Sequence, residues 1–151
     1  MLLTDSHSSL CEIVAGEIAG LGGTATFANQ DIRNEVQWAT IVVLAENTYG
    51  RLDILCNIAG ISGRDPKVNI QPTAGPEQTL EHWNHVMDIN ANGVFLGTRA
   101  ANPAMLRAGG GSIINISSIC GIIGSHANAA YLTSKRRGAN LLQGRSHTVC
   151  A

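Results

Sequence analysis

A doubly wound α/β architecture, a parallel sheet with helices on both faces, is what this sequence predicts. Two observations carry that reading: short apolar runs alternate with stretches of helical period, and glycine-rich or polar breaks separate them. The third is composition. Of 151 residues, 44% are hydrophobic and only 4% aromatic, so the core is aliphatic, as a sheet buried on both faces requires.

The opening "MLLTD" is a short strand closed by a polar cluster. Leu10, Ile13, Val14, Ile18 and Leu21 then form a helical stripe, with Ser9 and Glu12 in capping-box spacing at its start. "LGG" at 21–23 stops that helix, and "TATFA" reads as the next strand. Residues 34–49 give a second helix with Val36, Ala39 or Thr40, Val43 and Leu44 on its inner face. "YG" ends it, and "RLDILCN" is a third strand. Residues 60–76, rich in Gly, Pro, Ser and Asp, form a loop. A helix from about Glu77 has Leu80, Trp83 and Met87 on one side. After "DIN" a longer helix runs to about Arg107, with a kink expected at Pro103. "AGGGS" is a turn, "SIINIS" a strand and 128–142 a last helix. Strands that alternate with helices are parallel, because parallel neighbours need crossover connections. Ligands of such sheets bind beyond the carboxyl ends of the strands. Asp5, Asp31, Asn57, Ser117 and Ser118 sit at those ends and should gather on one edge.

Composition excludes several function classes. Ten basic and eleven acidic residues give a net charge of −1 with no basic cluster beyond Arg136-Arg137, which argues against nucleic acid or an anionic membrane as partner. Cys11, Cys56, Cys120 and Cys150 show neither CxxC nor Cys/His spacing, so no zinc or redox site is expected and a reducing, cytoplasmic setting fits. The five histidines share no metal spacing and are expected at the surface. There is no signal-peptide pattern, and no apolar run reaches the roughly 20 residues of a membrane span.

Chemistry concentrates in "AAYLTSKRRGAN". Tyr131 and Lys135 lie four residues apart on one helix face. An ammonium beside a phenol favours the phenolate, and a phenol so tuned can exchange a proton with an alcohol or carbonyl. Ser118, at the end of the "SIINISS" strand, can hydrogen-bond the same oxygen. Taken alone, a YxxxK spacing arises often by chance. Asp5 alone reads as a cap for the following helix, and Asn90 alone as a polar residue satisfying helix carbonyls.

Asn57-Ile58-Ala59-Gly60 after a parallel strand, Asn90 in "MDINANGVFLGTRAA", Ser118 at a strand end and Tyr131-x-x-x-Lys135 follow one another in order. In this order and spacing they resemble the classical short-chain dehydrogenase/reductase family, from residue 1 to about 138. The resemblance implies a Rossmann-like domain over 1–142 and an NAD-dependent oxidoreductase that interconverts a secondary alcohol and a ketone. It implies Tyr131 as acid/base, Lys135 as its partner and ribose ligand, Ser118 orienting the substrate oxygen, and Asn90 supporting a water relay. On the cofactor side, Asn57, Ala59 and Gly60 would line the cleft, Asp31-Ile32 would meet the adenine, and Asp5 would take both ribose hydroxyls. A carboxylate at that last position favours NAD over NADP. A small-molecule substrate and a homo-oligomer are implied as partners, the long helices near 90–107 and 128–142 packing between subunits.

The sequence also departs from the family. Ile58 stands where the family has a second asparagine, and Arg136-Arg137 where it has small or apolar residues. The sequence holds no TGxxxGxG phosphate loop and opens at the family's second strand. The missing first strand would lie between the second and fourth, so their facing edges should stay unpaired or close up. The expectation is therefore an incomplete domain, a fragment lacking its first and last strands, with a divergent tail at 143–151. The alternative to an enzyme is a non-catalytic remnant or interaction module that does not hold cofactor alone.

Overall fold

A computed structural model describes residues 1–63, 78–123, 128–140 and 147–149, with backbone alone for 137–140 and 147–149. Strand β1 (Leu2–Asp5) leads into helix α1 (Ser8–Gly20), β2 (Thr26–Asn29), α2 (Glu35–Tyr49) and β3 (Ile54–Asn57). Helix α3 (Leu80–Met87) passes through a π-turn at Asp88–Asn92 into α4 (Gly93–Arg107). Strand β4 (Ser112–Ile116), a 3-10 turn at Ile119–Gly121, α5 (Ala129–Asn140) and β5 (His147–Val149) complete the order. All pairings are parallel.

The strands form two sheets, β1-β2 and β3-β4-β5. β1 and β3 are the strands expected on either side of the family's first strand, and they do not pair with each other. Among the described residues each keeps one open edge. β5 is an element the sequence reading does not contain; it lies beside β4 in the register Ile114↔His147 to Ile116↔Val149.

The turns read from glycine hold. After α1, Gly22 N–H binds Ala19 O and Gly23 N–H binds Ile18 O, with Gly22 at φ +82. That is a Schellman stop, which requires a left-handed residue. Gly50, at φ +83, ends α2 in the same region of backbone space.

Side-chain faces required more correction. The capping box does not form: Ser9 lies inside α1, His7 is the N-cap without a side-chain bond, and Asp5 instead accepts the His7 N–H at 2.8 Å. The stripe on α1 is not buried either. Leu10 and Ile13 are 64% and 58% exposed, because among the described residues α1 rests only on two four-residue strands. On α2 the inner face is Trp38, Val42 and Ala45, while Val36 and Val43 are exposed. The Trp38 indole sets that rotation, since its Nε1 donates to Ile32 O at 2.8 Å. On α3, His82 and Val86 turn inward and Leu80 outward, so one histidine expected at the surface is buried. The break expected at "DIN" is helical throughout, and Pro103 sits within α4. Most of the loop expected at 60–76 lies outside the described residues.

The central contact is α4 on the sheets. Ala101 and Met105 of α4 pack on Ile113 with Leu52 and Leu55 around them. One and two turns earlier, Gly97 and Gly93 admit larger neighbours: a Cβ on Gly97 would stand 2.7 Å from Trp38, and one on Gly93 2.6 Å from Ile32. Gly97→Ala is therefore expected to lower stability by about 1–3 kcal/mol through overpacking. Gly16→Ala, in the middle of α1 where a Cβ meets nothing, should raise it by roughly 0.5–1 kcal/mol. Urea denaturation of both variants checks the pair; equal effects would contradict it.

Candidate active site

The site grows from the end of β4 and the first turns of α5. Ser117 is buried, and its Oγ donates to Lys135 O at 2.8 Å, fastening α5 to the strand end. Ser118 has extended backbone and caps the 3-10 turn, its Oγ accepting the Cys120 N–H at 3.2 Å. That turn approaches α5 closely: a Cβ on Gly121 would lie 2.9 Å from Lys135 O. Lys135 is 9% exposed, and its Nζ donates to Ile116 O at 3.1 Å. The ammonium lies 5.9 Å from the Tyr131 ring centroid. Burial holds the lysine below its ordinary pKa. Among the described residues no carboxylate pairs with it.

Asn90 enters from the π-turn, a helical irregularity of the kind that re-aims a side chain. It is 3% exposed and binds the Ile61 backbone twice, accepting from N and donating to O, both at 2.8 Å. Its Nδ2 also lies 3.0 Å from Ser134 Oγ, which donates to Tyr131 O at 2.8 Å. Asn90 thus straps the segment after β3 to the helix bearing Tyr131 and Lys135. Gly60 is brought so near that a Cβ there would stand 3.1 Å from Asn90 Oδ1 and 3.3 Å from Lys135 Nζ.

The remaining candidates sit at strand ends. Asp5 and Asn29 end β1 and β2 in register, and Asn57, which ends β3, lies in register with Asn115 near the end of β4. Asp5 is part-exposed and held by the His7 N–H. Asp31 is engaged by Arg33, which donates to both carboxylate oxygens and holds the carboxyl below its usual pKa. Ile32 packs on Gly93. Asn57 turns inward, donating to Asn115 Oδ1 at 2.8 Å, and Ala59 lies exposed beyond it. Ile58, 65% exposed, makes no polar contact where the family has an amide. Asn90, Gly60, Tyr131 and Lys135 are thus gathered with the Ser117-Ser118 strand end, whereas Asp5 and the Asp31-Ile32 pair lie on the other sheet.

Sequence reasoning missed Ser134, Asn115, Asn128 and His82, all buried and polar. Asn115 was detectable as an amide inside an apolar strand, and Ser134 as a hydroxyl one turn from Tyr131. His82 and Asn128 left no signal, because their partners are distant in sequence. Among the described residues no cluster of three or more His, Cys, Asp or Glu could hold a metal, and no helix is long and apolar enough to cross a membrane.

Comparison with known proteins fits this geometry. The family model for short chain dehydrogenases matches residues 1–148. Cyclopentanol dehydrogenase of Comamonas testosteroni is 40% identical over 135 residues, covering 88% of this chain and 50% of that protein. Trans-4-hydroxycyclohexanecarboxylate dehydrogenase of Sinomonas cyclohexanicum is 38% identical over 136 residues, 89% of this chain and 49% of that protein. A short-chain type dehydrogenase/reductase from Mycobacterium marinum superposes with a TM-score of 0.83 at 31% identity, over 93% of this chain and 55% of that structure. The chain spans about half the length of the curated relatives it matches. With the ordered Asn-Ser-Tyr-Lys constellation gathered around α5, these matches show that the chain belongs to the short-chain dehydrogenase family.

Proposed function

We propose that this chain carries the acid–base half of an NAD-dependent oxidoreductase that interconverts an alicyclic secondary alcohol and its ketone. The observation that carries the reading is Lys135, buried with no carboxylate partner among the described residues and facing the Tyr131 ring. A buried, unpaired ammonium costs stability, and such groups concentrate where chemistry uses them. The alicyclic class is supported by the substrates named for the two curated relatives, a cyclopentanol and a hydroxycyclohexane.

In the oxidative direction Tyr131 takes the hydroxyl proton at its phenol oxygen while the carbon–oxygen bond becomes a carbonyl. Lys135 favours by charge the phenolate form that accepts this proton. Ser118 orients the substrate oxygen by hydrogen bonding, and Asn90 keeps Gly60–Ile61 in place beside the lysine. A nicotinamide cofactor, when bound, supplies the hydride chemistry. The residues present fit its nicotinamide ribose (Lys135) and adenosine ribose (Asp5). Asp31 fits less well, since Arg33 already engages both its oxygens. Cytoplasmic residence and assembly with further copies belong to the same reading. A non-catalytic interaction module is the second reading, favoured by the open edges of β1 and β3 and by α1, which buries no residue.

Cyclohexanol- and cyclopentanol-dependent NAD reduction by the purified chain tests the first reading. Tyr131→Phe should lower any such turnover by about 100-fold or more; turnover that survives it unchanged does not use this site, and absence of wild-type turnover with no NAD-dependent rise in melting temperature favours the module. Asp5→Asn should narrow the preference for NAD over NADP, read as the ratio of kcat/KM values; an unchanged ratio removes Asp5 from the ribose site.

Lys135 also makes stability depend on pH. Burial lowers its folded-state value below 10.5, so in the window just beneath that value the unfolded chain binds more protons than the folded one. The lysine's burden is therefore relieved as pH rises through the window. Lys135→Met should melt above wild type by a wider margin at neutral pH than near about pH 10. A margin that is constant or widens would contradict the burial argument.

A further inference from the structure

We propose that His82 is a positioning residue for Tyr131, acting through the side-chain amide of Asn128. The inference rests on Tyr131 being the acid/base. Asn128 stands immediately before α5, is 2% exposed, and accepts at Oδ1 from the N–H groups of Ala130, at 2.9 Å, and of Tyr131 itself, at 3.3 Å. It is the N-cap of the helix, and one of its bonds ends on the backbone of Tyr131. The first turn of a helix lacks intrahelical partners for its N–H groups, so the place of Tyr131 depends on this cap. Lys135, one turn on, is held separately by Ser117 and Ile116. The cap therefore sets the phenol against an ammonium already fixed.

An asparagine cap works only in one orientation of its amide. Gln78 Nε2 also donates to Asn128 Oδ1, so three donors converge on that end, and the opposite end must be the NH2 group. That group points at Nε2 of His82, a residue 6% exposed on α3. For the contact to be a hydrogen bond, Nε2 must accept, which places the ring proton on Nδ1, a buried nitrogen with no partner among the described residues. Gly63 closes the pocket: a Cβ there would lie 2.6 Å from Asn128 Nδ2 and 2.9 Å from His82 Nε2, which leaves no room for a bridging water. Without the imidazole acceptor, the amide either keeps a buried, unpaired NH2 or rotates and abandons the Ala130 and Tyr131 N–H groups. Nothing in the hydride chemistry requires a histidine here; its use is to hold the amide in the capping orientation.

The test combines amide hydrogen exchange with kinetics on cyclohexanol and NAD. In wild type, nitrogen NMR of the His82 ring should find the proton on Nδ1; a proton on Nε2 overturns the proposal without any variant. In His82→Leu, exchange at Ala130 and Tyr131 should quicken about fivefold to tenfold, by the worth of a lost cap, while amides deeper in α5 keep their wild-type rates. kcat should fall by a similar factor with KM for NAD unchanged. His82→Gln, whose amide oxygen can accept from Asn128, should recover most of both. In an Asn128→Ser background, where a hydroxyl caps the helix without help from residue 82, His82→Leu should have no further effect on either. If His82→Gln does no better than His82→Leu, or the Ser background leaves the sensitivity intact, His82 is packing only. If wild type turns over no alcohol, the proposed activity fails, and the exchange rates still decide whether His82 holds the cap.

Discussion

The close seating of α4 is the contact on which the rest of the structure depends. Two glycines one turn apart, Gly93 and Gly97, remove side chains where the helix meets Ile32, Trp38 and Asn57. Ile32 follows β2 and Trp38 belongs to α2, so one half of the chain docks here; Asn57 ends β3 and faces the same glycine as Trp38, Gly97, so the other half meets it there. Among the described residues the two sheets share no strand pairing; α4 touches β3 of one and the Ile32 that follows β2 of the other. Overpacking here is costly because interiors are close-packed and neither the indole nor the strand end can retreat.

From that platform the site is built by buried polar ties rather than by ion pairs. Asn90 joins the Ile61 backbone to Ser134, Ser134 bonds Tyr131 O, Ser117 bonds Lys135 O, and Lys135 bonds Ile116 O. Apart from Ser134–Tyr131, which lies within α5, these ties join segments far apart in sequence, and all but Asn90–Ser134 end on backbone, so they fix position without neutralising charge. The charged pairs, by contrast, lie at the surface: Arg33–Asp31, Arg51–Asp53, Arg99–Glu35 and Arg107–Glu46. Exposed pairs of this kind contribute little to stability. Among the described residues they leave Lys135 buried without a carboxylate beside it.

The open edges of β1 and β3 and the uncovered face of α1 belong together. A parallel strand needs neighbours for its N–H and C=O groups, and an apolar helical face needs a layer to rest on. Among the described residues both are lacking around Leu2–Asp5, Leu10 and Ile13. The cofactor-side candidates Asp5, Asp31 and Ile32 stand in this half, and the proposed acid–base pair, Tyr131 and Lys135, stands in the half with the fuller sheet. The two halves of the proposed activity therefore rest on unequal foundations.

The sequence by itself determined the element order as far as α5, the parallel pairing of the strands, the glycine stops at 21–23 and 50, and the placing of Tyr131 and Lys135 four residues apart on one helix. These are local: period, turn chemistry and i,i+4 spacing are written within a few residues. Which face each helix buries was decided only in three dimensions. Val36 and Val43 have the right period but lie exposed, because the Trp38 indole found Ile32 O and the Gly97 gap and turned α2 to suit. His82 looked like a surface histidine because its acceptor role depends on Asn128, 46 positions away. Hydrophobic period indicates that a helix has an inner face; a polar contact between distant segments decides which residues occupy it.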